Sequence, residues 1–193
     1  DTEADLAPSV SSRIKFIANL NIAERRIPQD GRINYNYGKG TTVDLRISIL
    51  PGAFGETVVM RITTALDFKL DKKSIGFTPE NMKLFDQILG YTHGLVLLTG
   101  PTGSGKSTTL YTALSEINTP DINIITVEDP VEMIMPNLTQ VEVNPKAGLT
   151  FASVMRSVLR QDPDVVMVGE IRDEETARIA MTLSITGHLV FST

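Results

Sequence analysis

Cysteine and tryptophan are both absent from this chain of 193 residues. Without cysteine these residues cannot form disulfides or thiolate metal sites, and the composition suits a reducing compartment. Long apolar runs are missing too, since none approaches the roughly 18 residues that a membrane-spanning helix needs. Residues 1–10 are acidic and polar, unlike a secretory signal peptide. We therefore expect a cytoplasmic protein.

An excess of positive charge is also lacking. The chain has 23 acidic and 18 basic side chains, a net charge of −5 and a pI of about 5.1. A dedicated DNA- or RNA-binding protein needs a basic surface, so we expect no direct nucleic-acid partner. Hydrophobic residues make up 41% of the chain, enough for one or two domains with a core. Because the chain begins at Asp1 and stops in a strand-like segment at Thr193, we expect it to be a fragment of a longer protein.

The first third of the chain predicts a small α+β, PAS-like domain over residues 1–66. A helix is predicted over 9–23, where the apolar residues that recur at helical spacing are Val10, Ile14, Ile17 and Leu20. Alternating apolar and polar residues predict strands around 43–49 and 58–62, and glycine-rich turns at 38–40 and 51–52 complete an antiparallel meander. The polar residues 67–78 predict a linker, with 67–74 as the candidate hinge.

The rest of the chain, 79–193, alternates apolar strands with amphipathic helices. The predicted strands are 95–99, 122–127, 165–168 and 189–191, and the predicted helices are 80–89, 106–117, 151–160 and 174–186. Continuous apolar strands separated by helices indicate a mostly parallel sheet covered on both faces. The fold class we expect is α/β, a RecA-like P-loop NTPase domain that is truncated at its C-terminus.

A glycine-rich motif follows the first of these strands. Residues 100–107 have the sequence Gly-Pro-Thr-Gly-Ser-Gly-Lys-Ser, a complete GxxxxGK[ST] phosphate loop with a strand before it and a helix after it. Glycines let successive backbone N–H groups turn toward phosphate oxygens, the lysine adds a positive charge, and the serine hydroxyl can bind Mg²⁺. A glycine-rich surface turn is the alternative. We predict ATP contacts from Gly100, Pro101, Thr102, Gly103, Ser104, Gly105, Lys106, Ser107 and Thr108, with Lys106 also catalytic.

Acidic residues follow two of the buried strands. Glu128 directly follows the predicted strand 122–127. Glu170 follows Gly169, which comes directly after the predicted strand 165–168. The carboxyl ends of parallel strands meet at one edge, so both carboxylates should lie beside the phosphate loop. Gly169 stands where many P-loop enzymes have aspartate, so Glu170 is predicted, with Ser107, to hold Mg²⁺, possibly through water. Glu128 is predicted to orient or deprotonate the attacking water. The alternative is that both are solvated residues at strand ends.

Several arginines are candidates for contacts with nucleotide phosphates. Arg156 and Arg160 are four residues apart on one predicted helix, while Arg46 and Arg61 lie opposite the apolar faces of their strands. An arginine at a γ-phosphate contributes about 10³ to 10⁵ in rate in other P-loop enzymes. The alternative is that these are ordinary solvated surface charges.

The segment 159–173, Leu-Arg-Gln-Asp-Pro-Asp-Val-Val-Met-Val-Gly-Glu-Ile-Arg-Asp, resembles the signature of the ATPases of type II secretion and type IV pilus assembly. Residues 126–132 resemble the acidic box of that family, 187–193 the start of its histidine box, and 22–32 its second N-terminal domain. The resemblance covers nearly the whole chain. It implies a cytoplasmic homo-hexameric ATPase, using ATP and Mg²⁺, that is peripheral to the inner membrane through a platform protein and drives extrusion of pilin or pseudopilin subunits.

The resemblance also implies roles for individual residues. Glu128 matches the glutamate of the acidic box and Glu170 that of the Walker B motif. Arg32 and Arg46 match arginines that an N-terminal domain presents to nucleotide, and Arg156 and Arg160 match arginines near the site in the ATPase domain. Gly55-Glu56-Thr57 departs from the family's frequent Gly-Glu-Arg, so a third N-terminal arginine is not supported at that position.

Three alternatives remain open at this point. A pilus-retraction or conjugation-type ATPase would share this fold and chemistry, although the sequences of segments 29–31 and 159–173 fit assembly and export ATPases better. A RecA-like nucleic-acid motor is disfavoured by the acidic pI and by the lack of interleaved aromatic and basic residues. A nucleotide-sensing scaffold without hydrolysis is disfavoured by the presence of Glu128 and Glu170.

Overall fold

The computed structural model describes residues 6–36, 42–64 and 71–193. The predicted turn at 38–40 and residues 67–70 of the predicted linker lie outside the described residues. The chain divides into two compact units, Asp1–Asp67 and Phe68–Thr193. The finer boundaries, with a linker over 67–78, stay a prediction.

The described residues of the first unit form one helix and an antiparallel sheet. In chain order its elements are α1 (Ala7–Ile17), β1 (Gln29–Asn36), β2 (Thr42–Gly52) and β3 (Gly55–Thr64). The strands pair in the order β1-β2-β3, with a tight turn between Gly52 and Gly55, as the alternating pattern predicts. The core of this unit consists of Ala18, Ile33, Ile47 and Ile49, with Ile14, Leu20, Leu45 and Val58 packed against it.

The predicted apolar face of the first helix was partly wrong. The helix ends at Ile17, not at residue 23, and Asn19 then takes a left-handed conformation with φ 55°. Val10 and Ile17 are 41% and 48% exposed, whereas Lys15 is fully buried. Lys15 can be buried because its ammonium group pairs with the Glu56 carboxylate of β3.

The second unit is a parallel sheet with helices on both faces. Its elements are α2 (Pro79–Leu89), β4 (Gly94–Leu97), α3 (Lys106–Ile117), β5 (Ile124–Glu128), β6 (Thr139–Glu142), α4 (Phe151–Val158), β7 (Val165–Val168), α5 (Glu174–Ile185) and β8 (Leu189–Ser192). The strand order is β4-β8-β7-β5-β6, and every pair is parallel. This arrangement confirms the predicted α/β fold.

Alternate residues of the central strands face opposite sides of the sheet. Val165 and Met167 pack with α2 and α3 on one face, while Val166 and Val168 pack with α4 and α5 on the other. Strands β5, β7 and β8 are buried along their whole lengths. Burial on both faces explains why these strands are apolar at consecutive positions.

The part of the predicted linker that the structure describes is attached to the second unit. A 3₁₀ turn spans Lys72–Ile75, and Ile75 packs against the core that contains α3. The Lys72 ammonium lies 2.8 Å from an Asp86 carboxylate oxygen and 3.1 Å from one of Glu116. Across the described ranges, no helix combines the length and apolarity needed to cross a membrane.

Candidate nucleotide-binding and catalytic site

The phosphate loop connects β4 to α3. Gly103 and Gly105 have φ values of 79° and 90°, and a β-carbon is strained in that left-handed region. Gly105 caps α3, which begins at Lys106, so the first N–H groups of a twelve-residue helix face the loop. The Lys106 ammonium donates to the carbonyls of Gly100 and Pro101 at 2.9 and 3.1 Å. Within the described residues, two of its three donors are thus used by the loop, and the third is available to a ligand.

A cavity of about 180 Å³ lies beyond the carboxyl ends of β5 and β7. Its lining includes Ser107 of the phosphate loop together with Glu128 and Glu170. The two strand-end carboxylates therefore share one cavity with the predicted Mg²⁺-binding hydroxyl.

Glu128 is held by three side-chain donors. The residue is only 3% exposed. Its Oε1 accepts hydrogen bonds from the Thr126 hydroxyl at 2.5 Å and from the Gln140 amide at 3.2 Å. Its Oε2 accepts a hydrogen bond from the Tyr111 hydroxyl. The carboxylate is therefore fixed by neutral groups from α3, β5 and β6.

Tyr111 connects this carboxylate to the chain that follows β5. Its hydroxyl oxygen accepts hydrogen bonds from the backbone N–H groups of Glu132 and Met133 at 3.2 and 3.3 Å. Burial raises the pKa of the Tyr111 phenol, and the hydrogen bond to Glu128 raises it further. The phenol therefore keeps its proton at neutral pH and remains a donor.

Glu170 has a different partner. One of its carboxylate oxygens lies 2.7 Å from the Arg172 guanidinium, whose side chain is 66% exposed. The preceding residue, Gly169, lies close to β5, and a β-carbon there would be 3.3 Å from the Val127 carbonyl oxygen and 3.4 Å from the Cα atom of Glu128. The contact with the Val127 carbonyl would be tight, so a side chain at 169 would require a small shift of the backbone next to Glu128.

The chain's own residues fit a magnesium–phosphate complex but not a metal site made of protein alone. In the described part of the chain, no group of three histidine, cysteine or acidic side chains is arranged to hold a metal ion. The Ser107 hydroxyl and the Glu170 carboxylate both line the cavity, and Mg²⁺ accepts such oxygen ligands while keeping water and phosphate oxygens.

Three arginines form a row across the sheet of the first unit. In the register of the strands Arg32 lies opposite Arg46, and Arg46 lies opposite Arg61. Directly paired residues project from the same face, where like charges destabilise one another. The Nε atom of Arg46 is buried and makes no hydrogen bond within the described residues.

Arg156 and Arg160 make local contacts in the second unit. Arg156 forms an ion pair with Glu175 of α5. Arg160, which follows the end of α4, donates to the Arg156 carbonyl at 3.0 Å and to the Ser157 hydroxyl at 3.1 Å. Neither arginine is among the described residues that line the cavity. Their predicted contact with nucleotide stays a prediction.

Sequence reasoning missed four side chains that surround the two carboxylates: Tyr111, Thr126, Gln140 and Arg172. Arg172 lies inside the segment 159–173 that carries the family resemblance, so it could have been singled out. Tyr111 and Gln140 are 17 and 12 residues from Glu128 in sequence, and no spacing rule connects such positions.

A parallel sheet whose strand β4 leads into this phosphate loop defines a RecA-like P-loop NTPase domain. The chain belongs to the family described as Type II/IV secretion system protein, because the model of that family matches residues 1–193. The resemblance drawn from the sequence is thereby confirmed.

Similar proteins point to the same family. The chain is 54% identical over 190 residues to type II secretion system protein E of Xanthomonas campestris pv. campestris, covering 98% of this chain and 33% of that protein. It is 53% identical over 194 residues to type II secretion system ATPase E of Vibrio cholerae, covering 97% of this chain and 38% of that protein. It is 50% identical over 188 residues to the type IV pilus assembly ATPase PilB of Acinetobacter baylyi, covering 97% and 32%. The chain thus spans about a third of the length of these relatives.

Solved structures share the fold. A crystal structure of the pilus retraction motor PilT with bound ADP matches with a TM-score of 0.73 and 32% identity, covering 100% of this chain and 54% of that one. The ATPase DotB of Legionella pneumophila matches with a TM-score of 0.67 and 26% identity, covering 86% and 47%.

Proposed function

We propose that the complete protein containing this chain hydrolyses ATP in a Mg²⁺-dependent reaction, and that hydrolysis drives type II secretion or type IV pilus assembly. The observation that supports this most is the cavity at the ends of β5 and β7, where Ser107, Glu128 and Glu170 meet beside the phosphate loop. The relatives named ATPase E and PilB support the choice of process.

Nucleotide binding is assigned to residues 100–108. The backbone N–H groups of the loop and of the start of α3 would bind phosphate oxygens, and the third donor of Lys106 would bind one more. Ser107 would ligate Mg²⁺ directly and Glu170 through water, giving up its exposed pairing with Arg172. Bound Mg²⁺ supplies neutralisation of the charge that develops on the phosphates.

Water activation is assigned to Glu128. Phosphoryl transfer depends on positioning and charge stabilisation, so the residue that orients the water must itself be fixed. Three donors hold the Glu128 carboxylate at the cavity wall. It would orient the attacking water and accept its proton.

The arginines are assigned to completing the site in a homo-hexamer. Arg32 and Arg46 lie opposite each other on β1 and β2 and project from one face of the sheet, from which they would contact a nucleoside triphosphate bound by another protomer. Arg156 and Arg160 would approach the phosphates from the ATPase domain. A nucleotide that binds one arrangement of the domains better than another would shift the ring between them, which is the source of motion.

The proposed process implies a location and a partner. A motor of this family would act in the cytoplasm against a platform protein of the inner membrane, without direct contact with nucleic acid. ATP hydrolysis would drive the extrusion of pilin or pseudopilin subunits. A retraction motor is the second candidate, supported by the fold shared with PilT. The identities of 50–54% to export and assembly ATPases, against 32% to PilT, favour export or assembly.

The experiment compares two lysine variants of the complete protein. Lys106→Ala removes a cationic donor at the phosphates and should lower phosphate release at least about 10²-fold. Lys83→Ala, on the exposed surface of α2, is the matched control and should retain wild-type release. Secretion or piliation should fail in the Lys106→Ala variant and stay normal in the Lys83→Ala variant. Wild-type phosphate release from Lys106→Ala would contradict the proposal. If Lys106→Ala impaired pilus retraction while assembly stayed normal, the protein would be a retraction motor, the second candidate.

A further inference from the structure

The acceptor sites of Glu128 are nearly all occupied. Each carboxylate oxygen can accept about two hydrogen bonds. Oε1 already accepts from Thr126 and Gln140, while Oε2 accepts from Tyr111. Among the described residues, the acceptor site that remains is therefore on Oε2. A water at the cavity wall would have to bind this oxygen, and Tyr111 holds that oxygen in place.

The Tyr111 side chain is well suited to hold Oε2 of Glu128 in place. The side chain is 2% exposed and packs in the core with Leu114 and Met135, so the ring itself has little freedom. It lies one turn into α3, the helix that begins at Lys106. The position of the phosphate loop and the position of Oε2 are thus set by the same rigid helix.

The tyrosine hydroxyl also fixes the chain beyond β5. It accepts from the N–H groups of Glu132 and Met133, and the Gln140 side chain donates to the Met133 carbonyl at 2.9 Å and accepts from the Met135 N–H at 2.7 Å. Segment 131–135 is therefore bound to two of the three side chains that hold Glu128, Tyr111 and Gln140. Buried N–H groups that lose such a partner destabilise the local structure.

We infer that Tyr111 is a positioning residue for ATP hydrolysis, orienting Oε2 of Glu128 toward the attacking water and tying segment 131–135 to the helix of the phosphate loop. This inference rests on the proposed function and deepens it. Tyr111 lines the same cavity, but its hydroxyl is already bonded to Glu128 and to the N–H groups of Glu132 and Met133. Loss of this hydroxyl should therefore slow the chemical step and leave nucleotide affinity nearly unchanged.

The test is a double-mutant cycle in the complete protein. Tyr111→Phe keeps the ring and removes the hydroxyl, and it should lower kcat about tenfold to a hundredfold, as expected for a lost hydrogen bond to a charged group. KM and the affinity for a fluorescent ATP analogue should change less than about threefold. On a Glu128→Gln background the same substitution should cost less than about twofold, because the carboxylate through which it acts is gone.

Two further variants separate positioning from general damage. Tyr91→Phe makes the same chemical change at a tyrosine that is 61% exposed, and kcat should stay at the wild-type level. Thr126→Val removes a donor to Oε1 without touching segment 131–135. Amide hydrogen exchange should therefore speed up across 131–135 in Tyr111→Phe and stay unchanged in Thr126→Val.

Several outcomes would overturn the inference. An equal loss of kcat from Tyr111→Phe with and without Glu128→Gln would show that Tyr111 acts independently of the carboxylate. A rise in KM at constant kcat would place Tyr111 in nucleotide binding instead. If Lys106→Ala is inactive while Glu128→Gln hydrolyses ATP normally, the inference fails and the ATPase proposal stands. If Lys106→Ala hydrolyses ATP normally, the proposed function itself fails.

Discussion

Among the described residues, Glu56 in the first unit and Glu128 in the second are both largely shielded from water, and the two carboxylates are held in opposite ways. In the first unit Glu56 pairs with the fully buried Lys15 and accepts a hydrogen bond from Ser11 at 2.8 Å. In the second unit Glu128 accepts hydrogen bonds from three neutral side chains and lines a cavity.

The difference separates a structural carboxylate from one available for chemistry. The charge of Glu56 is cancelled by an adjacent cation, and the Lys15 ammonium also donates to the Glu24 carbonyl at 2.6 Å, so the pair joins three parts of the first unit. The Glu128 carboxylate has no adjacent cation among the described residues, as the proposed role in orienting water requires. Neutral donors fix a carboxylate in place, whereas an ammonium group also neutralises it.

Glu170 sharpens the comparison, because it has a cationic neighbour but lies in the cavity. Its pairing with the exposed Arg172 is a surface interaction of small net energy, which a metal–phosphate complex can replace. Glu170→Gln should lower kcat about 10²- to 10³-fold and weaken the dependence of nucleotide binding on Mg²⁺, with little change in stability. Glu174→Gln, an exposed residue of α5, is the control. If Glu170→Gln hydrolyses ATP at the wild-type rate, the Glu170 carboxylate has a structural role, like that of Glu56.

The Lys15–Glu56 pair should show its effect in stability. Lys15→Met leaves a largely buried carboxylate without its counter-charge and should destabilise the first unit by about 3 kcal/mol, measured by denaturant unfolding of the complete protein. The double variant Lys15→Met with Glu56→Leu should recover much of this loss, because neither charge is then buried alone. Equal losses in the single and double variants would mean that the ion pair is not the source of the effect.

The pH dependence of stability should follow from Glu56. Burial alone would raise the pKa of this carboxyl, but hydrogen bonds from Lys15 and Ser11 outweigh burial and lower it. Its contribution to stability is therefore full above the unfolded-state pKa of about 4.3 and is lost as the pH falls through the lower folded-state value. Hydrogen exchange of β2 amides, corrected for intrinsic rates, should show this acid destabilisation. Glu56→Gln should reduce it, and Glu80→Gln on the surface should leave it unchanged.

The smallest effect on stability is expected at Arg156. Its ion pair with Glu175 has side-chain exposures of 55% and 59%, so Arg156→Gln should cost less than about 1 kcal/mol. If this arginine reaches nucleotide as proposed, kcat should nevertheless fall at least about tenfold. Wild-type kcat with unchanged stability would leave Arg156 as a solvated surface charge.

The sequence predicted the second unit better than the first. Helix α3 and strand β7 begin and end at the predicted residues, because a phosphate loop and a continuous apolar run fix their limits. Strand β6 was not predicted, since Thr139–Glu142 is short, polar and at the sheet edge. Edge strands lack the continuous apolar pattern that marks buried ones.

The partners of the two shielded carboxylates could not be predicted from spacing. Lys15 is not among the apolar residues whose spacing predicted the first helix, and its burial depends on Glu56, 41 residues further along the chain. The convergence of Glu128 and Glu170 could be predicted because both follow parallel strands. The donors to Glu128 come from three elements that only the folded sheet brings together.

The central claim, that Glu128 serves chemistry and Glu56 serves structure, is tested most directly by making the same substitution at both. Kcat for ATP hydrolysis and the free energy of unfolding are measured for Glu128→Gln and Glu56→Gln in the complete protein. The account predicts that Glu128→Gln lowers kcat at least about 10²-fold and that the main effect of Glu56→Gln is a stability loss of about 2 to 4 kcal/mol. Wild-type kcat in Glu128→Gln, or wild-type stability in Glu56→Gln, would contradict it.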